Sequence, residues 1–338
     1  MQAPPDAPVS RRPARWMRDI VQFPLTRLVL GIVVVTLAQE VGKIVVAVPL
    51  GVVLHALGVG AVGDRPPVRL LLEVAGALGV LFAYYGFVRI VERRPVSELA
   101  LPTAARQFGA GLLVALGLVA LTLTLLWLVG VYRITGTNAW MVALVVLANA
   151  VSAAFLEEAV FRGFLFRITE EGLGTWLALA VTALVFGLLH LFSANTSVAA
   201  AVGIALEAGI LLAAAYVLTR ALWLPIGLHL GYNLWAGLSV PGVGVAATPL
   251  FKGRLVGTGF LSGGGIVDAS PVLIALSLLI SAYFLVRAQR AGAIVPPLWW
   301  RAGYGRVKGS TTVPFYPLDT ARRTGPSDER PSGAIVSS

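Results

Sequence analysis

The sequence predicts an all-α protein, a polytopic membrane helix bundle of about eight transmembrane helices. Three observations carry this expectation. Of 338 residues, 57% are hydrophobic and only 12% are charged, whereas soluble domains carry about a quarter charged residues. Mean hydropathy is +0.85. Apolar runs near or above the roughly 18–20 residues needed to cross a bilayer recur between Leu28 and Ala288.

The expected spans are 28–57, 69–91, 108–130, 140–167, 174–192, 197–219, 222–240 and 271–288. The first follows a basic, proline-rich segment with Arg11, Arg12, Arg15 and Arg18. At that length it is a retained span rather than the short apolar region of a signal peptide, long enough to be tilted or broken at Pro49. Turn residues separate the later spans: Arg65-Pro66-Pro67 before the second and Arg94-Pro95 before the third. Gly172-Leu173-Gly174 and Ser193-Ala194-Asn195 flank the fifth, and a glycine-rich stretch at 253–265 precedes the eighth.

Three regions follow: a cytoplasmic N-terminal segment at 1–26, a transmembrane bundle at 27–290, and a polar basic tail at 291–338. The tail has the composition of a disordered or headgroup-bound segment. Arginine and lysine concentrate in the N-terminal segment, the 92–107 and 168–173 loops, at Arg220 and in the tail. By the positive-inside bias these face the cytoplasm. An even number of spans then puts both termini of this integral membrane protein on that side.

Composition excludes several functions. With no cysteine, disulfides, thiolate metal sites and cysteine nucleophiles are absent. The net charge of +10 has no basic stripe interleaved with aromatics, so no nucleic-acid partner is expected. Membrane lipid is the expected surrounding. No feature sets an oligomeric state.

Polar side chains inside spans cost a few kcal/mol unless partnered, so each one needs a reason. Glu157 and Glu158 lie late in the fourth span with Arg162. Glu158 and Arg162 are four apart on one helical face and can pair, while Glu157 points about 100° away. One acid held by a cation and another free to act as general base is a useful division of labour. An interfacial charge cluster is the plainer alternative. In the fifth span Phe186 precedes His190 by one turn and is read as packing. In the seventh, His229 and Asn233 project from the same face, beside Gly227 and Gly231, whose spacing admits a close helix neighbour. Interhelical hydrogen bonding would explain this pair without catalysis. Taken together, these residues make a hydrolase-like set in which Glu157 and His190 activate water while His229 and Asn233 stabilise an oxyanion.

The motifs EExxxR at 157–162, FxxxH at 186–190 and HxxxN at 229–233 resemble the signature of the CPBP family, the CAAX-prenyl-protease and bacteriocin-processing proteins, also called Abi. The segments Glu98-Leu99-Ala100-Leu101 and Leu222 to His229 extend the likeness to about 90–240. The resemblance implies an intramembrane glutamate endopeptidase. Its catalytic residues would be Glu157, His190, His229 and Asn233, supported by Glu158, Arg162 and Phe186. The implied substrate is a membrane-associated or lipid-modified peptide or protein. Glu157, His190 and His229 could also supply three ligands to zinc. A metal-free Glu/His site is preferred, because it gives Asn233 a role, and no cofactor is then required.

Two non-proteolytic functions remain open at this point. One is a bacteriocin-immunity or scaffold protein that uses the polar core for binding. The other is a transporter with Glu40, Lys43, Glu73 and Glu207 as relay groups; for Glu40 and Lys43 a neutralised pair is the favoured explanation.

Overall fold

The structure is a computed structural model that describes residues 20–58, 65–193, 196–241, 248–257 and 259–298. All of these fall within one unit, Met1–Gly305. The basic N-terminal segment up to residue 19, Ala194-Asn195 of the predicted turn, and the tail from residue 299 lie outside the described residues.

Proline opens three of the long helices at the position where a missing N–H costs nothing: α1 (Pro24–Ala56), α2 (Pro66–Ile90) and α9 (Pro271–Arg290). Helix α1 runs unbroken through Pro49. After α3 (Ala104–Leu128) comes a short strand β1 (Tyr132–Thr137). Next, α4 (Val142–Glu158) passes through a π-helical stretch, Ala159–Phe166, into α5 (Arg167–Leu189). Gly174, at φ 75° and ψ 170°, interrupts α5 with a conformation that favours glycine. It divides the helical stretch where the sequence places the gap between the fourth and fifth spans.

The break is closed by the chain that follows α9. The Thr175 N–H donates to the Val295 carbonyl at 2.9 Å, and the Val295 N–H donates to Thr175 Oγ1 at 2.8 Å. Helices α6 (Val198–Ile204) and α7 (Ile210–Thr219) are joined by a second π-helical stretch, Ala205–Gly209. Helix α8 (Trp223–Ser239) follows, then strand β2 (Phe251–Leu255).

Among the described residues, six helical segments are long and apolar enough to cross a membrane, with Val142–Phe192 counted as one. The break at Gly174 and the 17-residue α8 account for the two further segments of the sequence expectation. Helix α8 lies inside the bundle: every residue from Leu224 to Tyr232 is buried, as expected of a helix apolar on nearly all sides. It crosses α3 closely, and a Cβ on Gly227 would stand 2.2 Å from the Phe108 carbonyl oxygen. The small-residue spacing therefore does admit a neighbour. Strands β1 and β2 pair antiparallel beyond the far end of α8, where the Tyr132 hydroxyl donates to the Ser239 carbonyl at 2.9 Å.

Most charged groups in the bundle are paired. Lys43 bridges Glu40 at 3.1 Å and Glu73 at 3.0 Å, which is the neutralised contact rather than an open relay. At the end of α2, Glu92 and Glu98 join Arg27, Arg94 and Arg167 in an ionic network that also takes in Glu171. Glu170 receives the Arg220 guanidinium and the Thr175 hydroxyl.

Candidate active site

The first motif is built at the junction between α4 and the π-helical stretch. Glu158 is fully buried, and its Oε1 accepts from Arg162 Nη1 at 2.8 Å, the i,i+4 pair expected from the sequence. The same oxygen accepts from His229 Nδ1 at 2.8 Å, joining α4 to α8 across 71 residues of sequence. Arg162, 2% exposed, also donates to the Gly209 carbonyl at 3.2 Å. A guanidinium and an imidazole thus share one carboxylate in a site sealed from solvent, where charge-assisted bonds are strongest.

Glu157 faces elsewhere, as the 100° rotation between successive helical residues requires. Its side chain is 30% exposed and its Oε2 lies 3.8 Å from His229 Nε2, too far for a direct hydrogen bond. That oxygen is buried and has no hydrogen-bond partner among the described residues.

The second motif enters through Phe186. Its ring packs 4.8 Å from the His190 ring and 6.1 Å from the His229 ring, so it neighbours both imidazoles. The Arg162 guanidinium stacks over the same ring at 4.9 Å, within cation–π range. Phe186 is therefore the hub on which all three motifs meet, a larger role than packing alone. His190 Nδ1 bonds the Phe186 carbonyl at 2.7 Å. A carbonyl only accepts, so Nδ1 carries the proton, and in the neutral ring Nε2 is the free base. Asn233 lies one turn beyond His229 on α8, half-buried, and its side chain has no hydrogen-bond partner among the described residues.

Two residues in this region, Tyr232 and Asp268, carried no sequence signal. Tyr232, between His229 and Asn233, donates its hydroxyl to Asp268 Oδ1 at 2.5 Å. Glu207, buried in the second π-helical stretch, has that same Asp268 carboxyl as its electrostatic neighbour.

The donor set can be tested against zinc. The orphaned Glu157 oxygen and a bare imidazole Nε2 would suit a cation. Yet among the described residues no three His, Asp or Glu side chains come together closely enough to hold a metal ion. Glu157, His190 and His229 as arranged do not fit a three-ligand site.

An apolar helix bundle with a buried carboxylate–histidine–arginine cluster defines the class of the molecule, an integral membrane protein. Residues 138–235, less than half of the chain, match the family model Rce1-like, described as type II CAAX prenyl endopeptidase Rce1-like, a model of the CPBP family. The match runs from just before α4 into α8 and contains all three motifs; the likeness at Glu98–Leu101 lies outside it. No curated protein and no solved structure matches the chain.

Proposed function

We propose that this protein is an intramembrane endopeptidase that hydrolyses a peptide bond near the C-terminus of a prenylated, membrane-associated protein. The observation that carries the proposal is the buried Arg162–Glu158–His229 chain, which joins the first and third motifs and leaves Glu157 uncommitted. Glu158, holding two donors, serves as an anchor. Glu157 serves as general base together with His190, whose Nε2 is free to take a proton.

Water positioned between these groups attacks the scissile carbonyl and gives its proton to the Glu157/His190 pair. Negative charge then develops on the carbonyl oxygen. His229 and Asn233 are one turn apart and donate to it, His229 from Nε2 and Asn233 from its amide. To donate from Nε2 while Nδ1 serves Glu158, His229 must be an imidazolium. Two carboxylates against one guanidinium leave one negative charge, which that imidazolium balances. As the C–N bond breaks, the proton held by the base passes to the leaving amine. The lipid of the substrate lies in the bilayer beside the bundle, and both protein termini lie in the cytoplasm.

The test uses purified protein and an internally quenched peptide bearing a farnesylated cysteine three residues from its C-terminus. Wild type should cleave it, and the unprenylated peptide should react far more slowly. Glu157→Gln should lower the rate about 10²- to 10⁴-fold, the usual contribution of a general base, and chelation should leave the wild-type rate unchanged. Cleavage that survives Glu157→Gln in a folded variant would refute the assignment.

A further inference from the structure

Beyond the matched domain, residues 259–270 form a compact segment between β2 and α9. Its own hydroxyls staple it. Ser262 Oγ donates to the carbonyls of Gly257 and Gly259, each at 2.8 Å, and Ser270 Oγ donates to that of Leu261 at 2.8 Å. Ser262, Val267 and Ser270 are buried. The segment is also wedged against α6, where a Cβ on Gly203 would stand 1.9 Å from the Asp268 carbonyl oxygen. Helix α6 in turn crosses α5 at Gly187, three residues before His190; a Cβ there would stand 2.4 Å from the Ala201 carbonyl oxygen. Asp268 is thus fixed through its main chain to the helix that flanks His190, and through its side chain to the helix that carries His229 and Asn233.

Tyr232, between His229 and Asn233 on α8, has a buried ring and donates its hydroxyl to Asp268. Rotation of α8 about its axis would break the 2.5 Å hydroxyl–carboxylate bond and turn His229 and Asn233 together. The carboxyl senses the site as well. Desolvation pushes it above the usual aspartate range, while the Tyr232 hydrogen bond and the neighbouring His190 hold it back.

We infer that Asp268 is a positioning residue of the active site: through the Tyr232 hydroxyl it holds α8 in the rotation that presents His229 and Asn233 to the substrate carbonyl. This rests on the proteolytic function proposed above. It makes residues 259–270, outside the family-matched stretch, part of the working enzyme.

The experiment compares wild type with Asp268→Asn, Asp268→Glu, Tyr232→Phe and the Asn/Phe double variant on the farnesylated quenched peptide, with thermal midpoints measured in parallel. Tyr232→Phe keeps the ring and its packing, so it reports on the bond even where a change at Asp268 impairs folding. Tyr232→Phe and Asp268→Asn should each lower kcat about 10- to 100-fold, the cost of misplacing a bound reactant by about 1 Å, with KM changed less than about twofold. The double variant should be no slower than either single one, because both break the same bond, and Asp268→Glu should recover part of the rate. Folded variants with wild-type kcat, whatever their thermal midpoint, would show that Asp268 only staples the loop and would overturn the inference. A wild type that leaves the peptide intact would instead refute cleavage of prenylated peptides, and the inference would fall with it.

Discussion

Arg162 occupies a place where an unpaired charge would be intolerable, and each of its contacts is a means of tolerating it. Its guanidinium meets the Glu158 carboxylate, a main-chain carbonyl of the neighbouring π-helical stretch and the face of Phe186. Replacing it with leucine would leave Glu158 buried with only His229 as partner. Loss of one member of a buried pair costs about 3–5 kcal/mol, so Arg162→Leu should show a large fall in thermal midpoint in detergent. Adding Glu158→Gln to that variant should recover part of the loss, because the uncompensated charge is then gone. A single Arg162→Leu variant as stable as wild type would show that the pair does not hold the site together.

The Glu158–Arg162 pair was legible in the sequence because i,i+4 geometry is local. The bond from Glu158 to His229 was not, since nothing local ties residues on different helices together. Asp268 was less visible still: it lies in a glycine-rich loop whose placement depends on α6 and α8 packing against it.

Among the elements, the helices were the readable part. Long apolar runs bounded by proline and glycine placed the segments close to their observed limits, and Gly174 falls at a predicted boundary. Three features had no such signal. The two π-helical stretches, Ala159–Phe166 and Ala205–Gly209, each hold a charged residue, Arg162 and Glu207, and a glycine, but nothing in that local pattern separates a π-helical turn from an α-helical one. Strands β1 and β2 are short and pair across more than a hundred residues, so each alone looks like a loop.

The contact between α3 and α8 gives a sharp mutational contrast. A Cβ on Gly227 would meet main-chain atoms of Phe108, which cannot swing aside as a side chain could. Gly227→Leu should therefore destabilise the bundle by at least the roughly 1–3 kcal/mol of ordinary overpacking. Gly117 on α3 faces open space, and Gly117→Ala should be neutral or stabilising by up to about 1 kcal/mol through helix propensity. Thermal midpoints of the two variants decide it; equal midpoints would mean that the α3–α8 approach is looser than the structure has it.

At the scale of the whole molecule, the bilayer explains both composition and placement. Apolar side chains cover the outside of the helices, while the polar groups gather inside, at α8 and its neighbours. Charges set in hydrocarbon persist where they are paired or functional. The ionic network around Glu92 and Glu98 and the Lys43 bridge have the first property. Glu157, beside the His229 imidazole and without a hydrogen-bond partner for its buried oxygen among the described residues, is given the second by the proposed proteolysis.

The proposed role of the Glu157 carboxylate is to drive proteolysis in the membrane. It is tested by mapping protein N- and C-termini, by mass spectrometry, in host membranes carrying wild type, Glu157→Gln or His190→Ala at matched expression. New peptide ends that accompany wild type and are missing with both variants are the expected result, and they would name the substrate as well. Identical termini in all three, with the protein folded and abundant, would contradict the claim and leave a binding role for the same buried cluster.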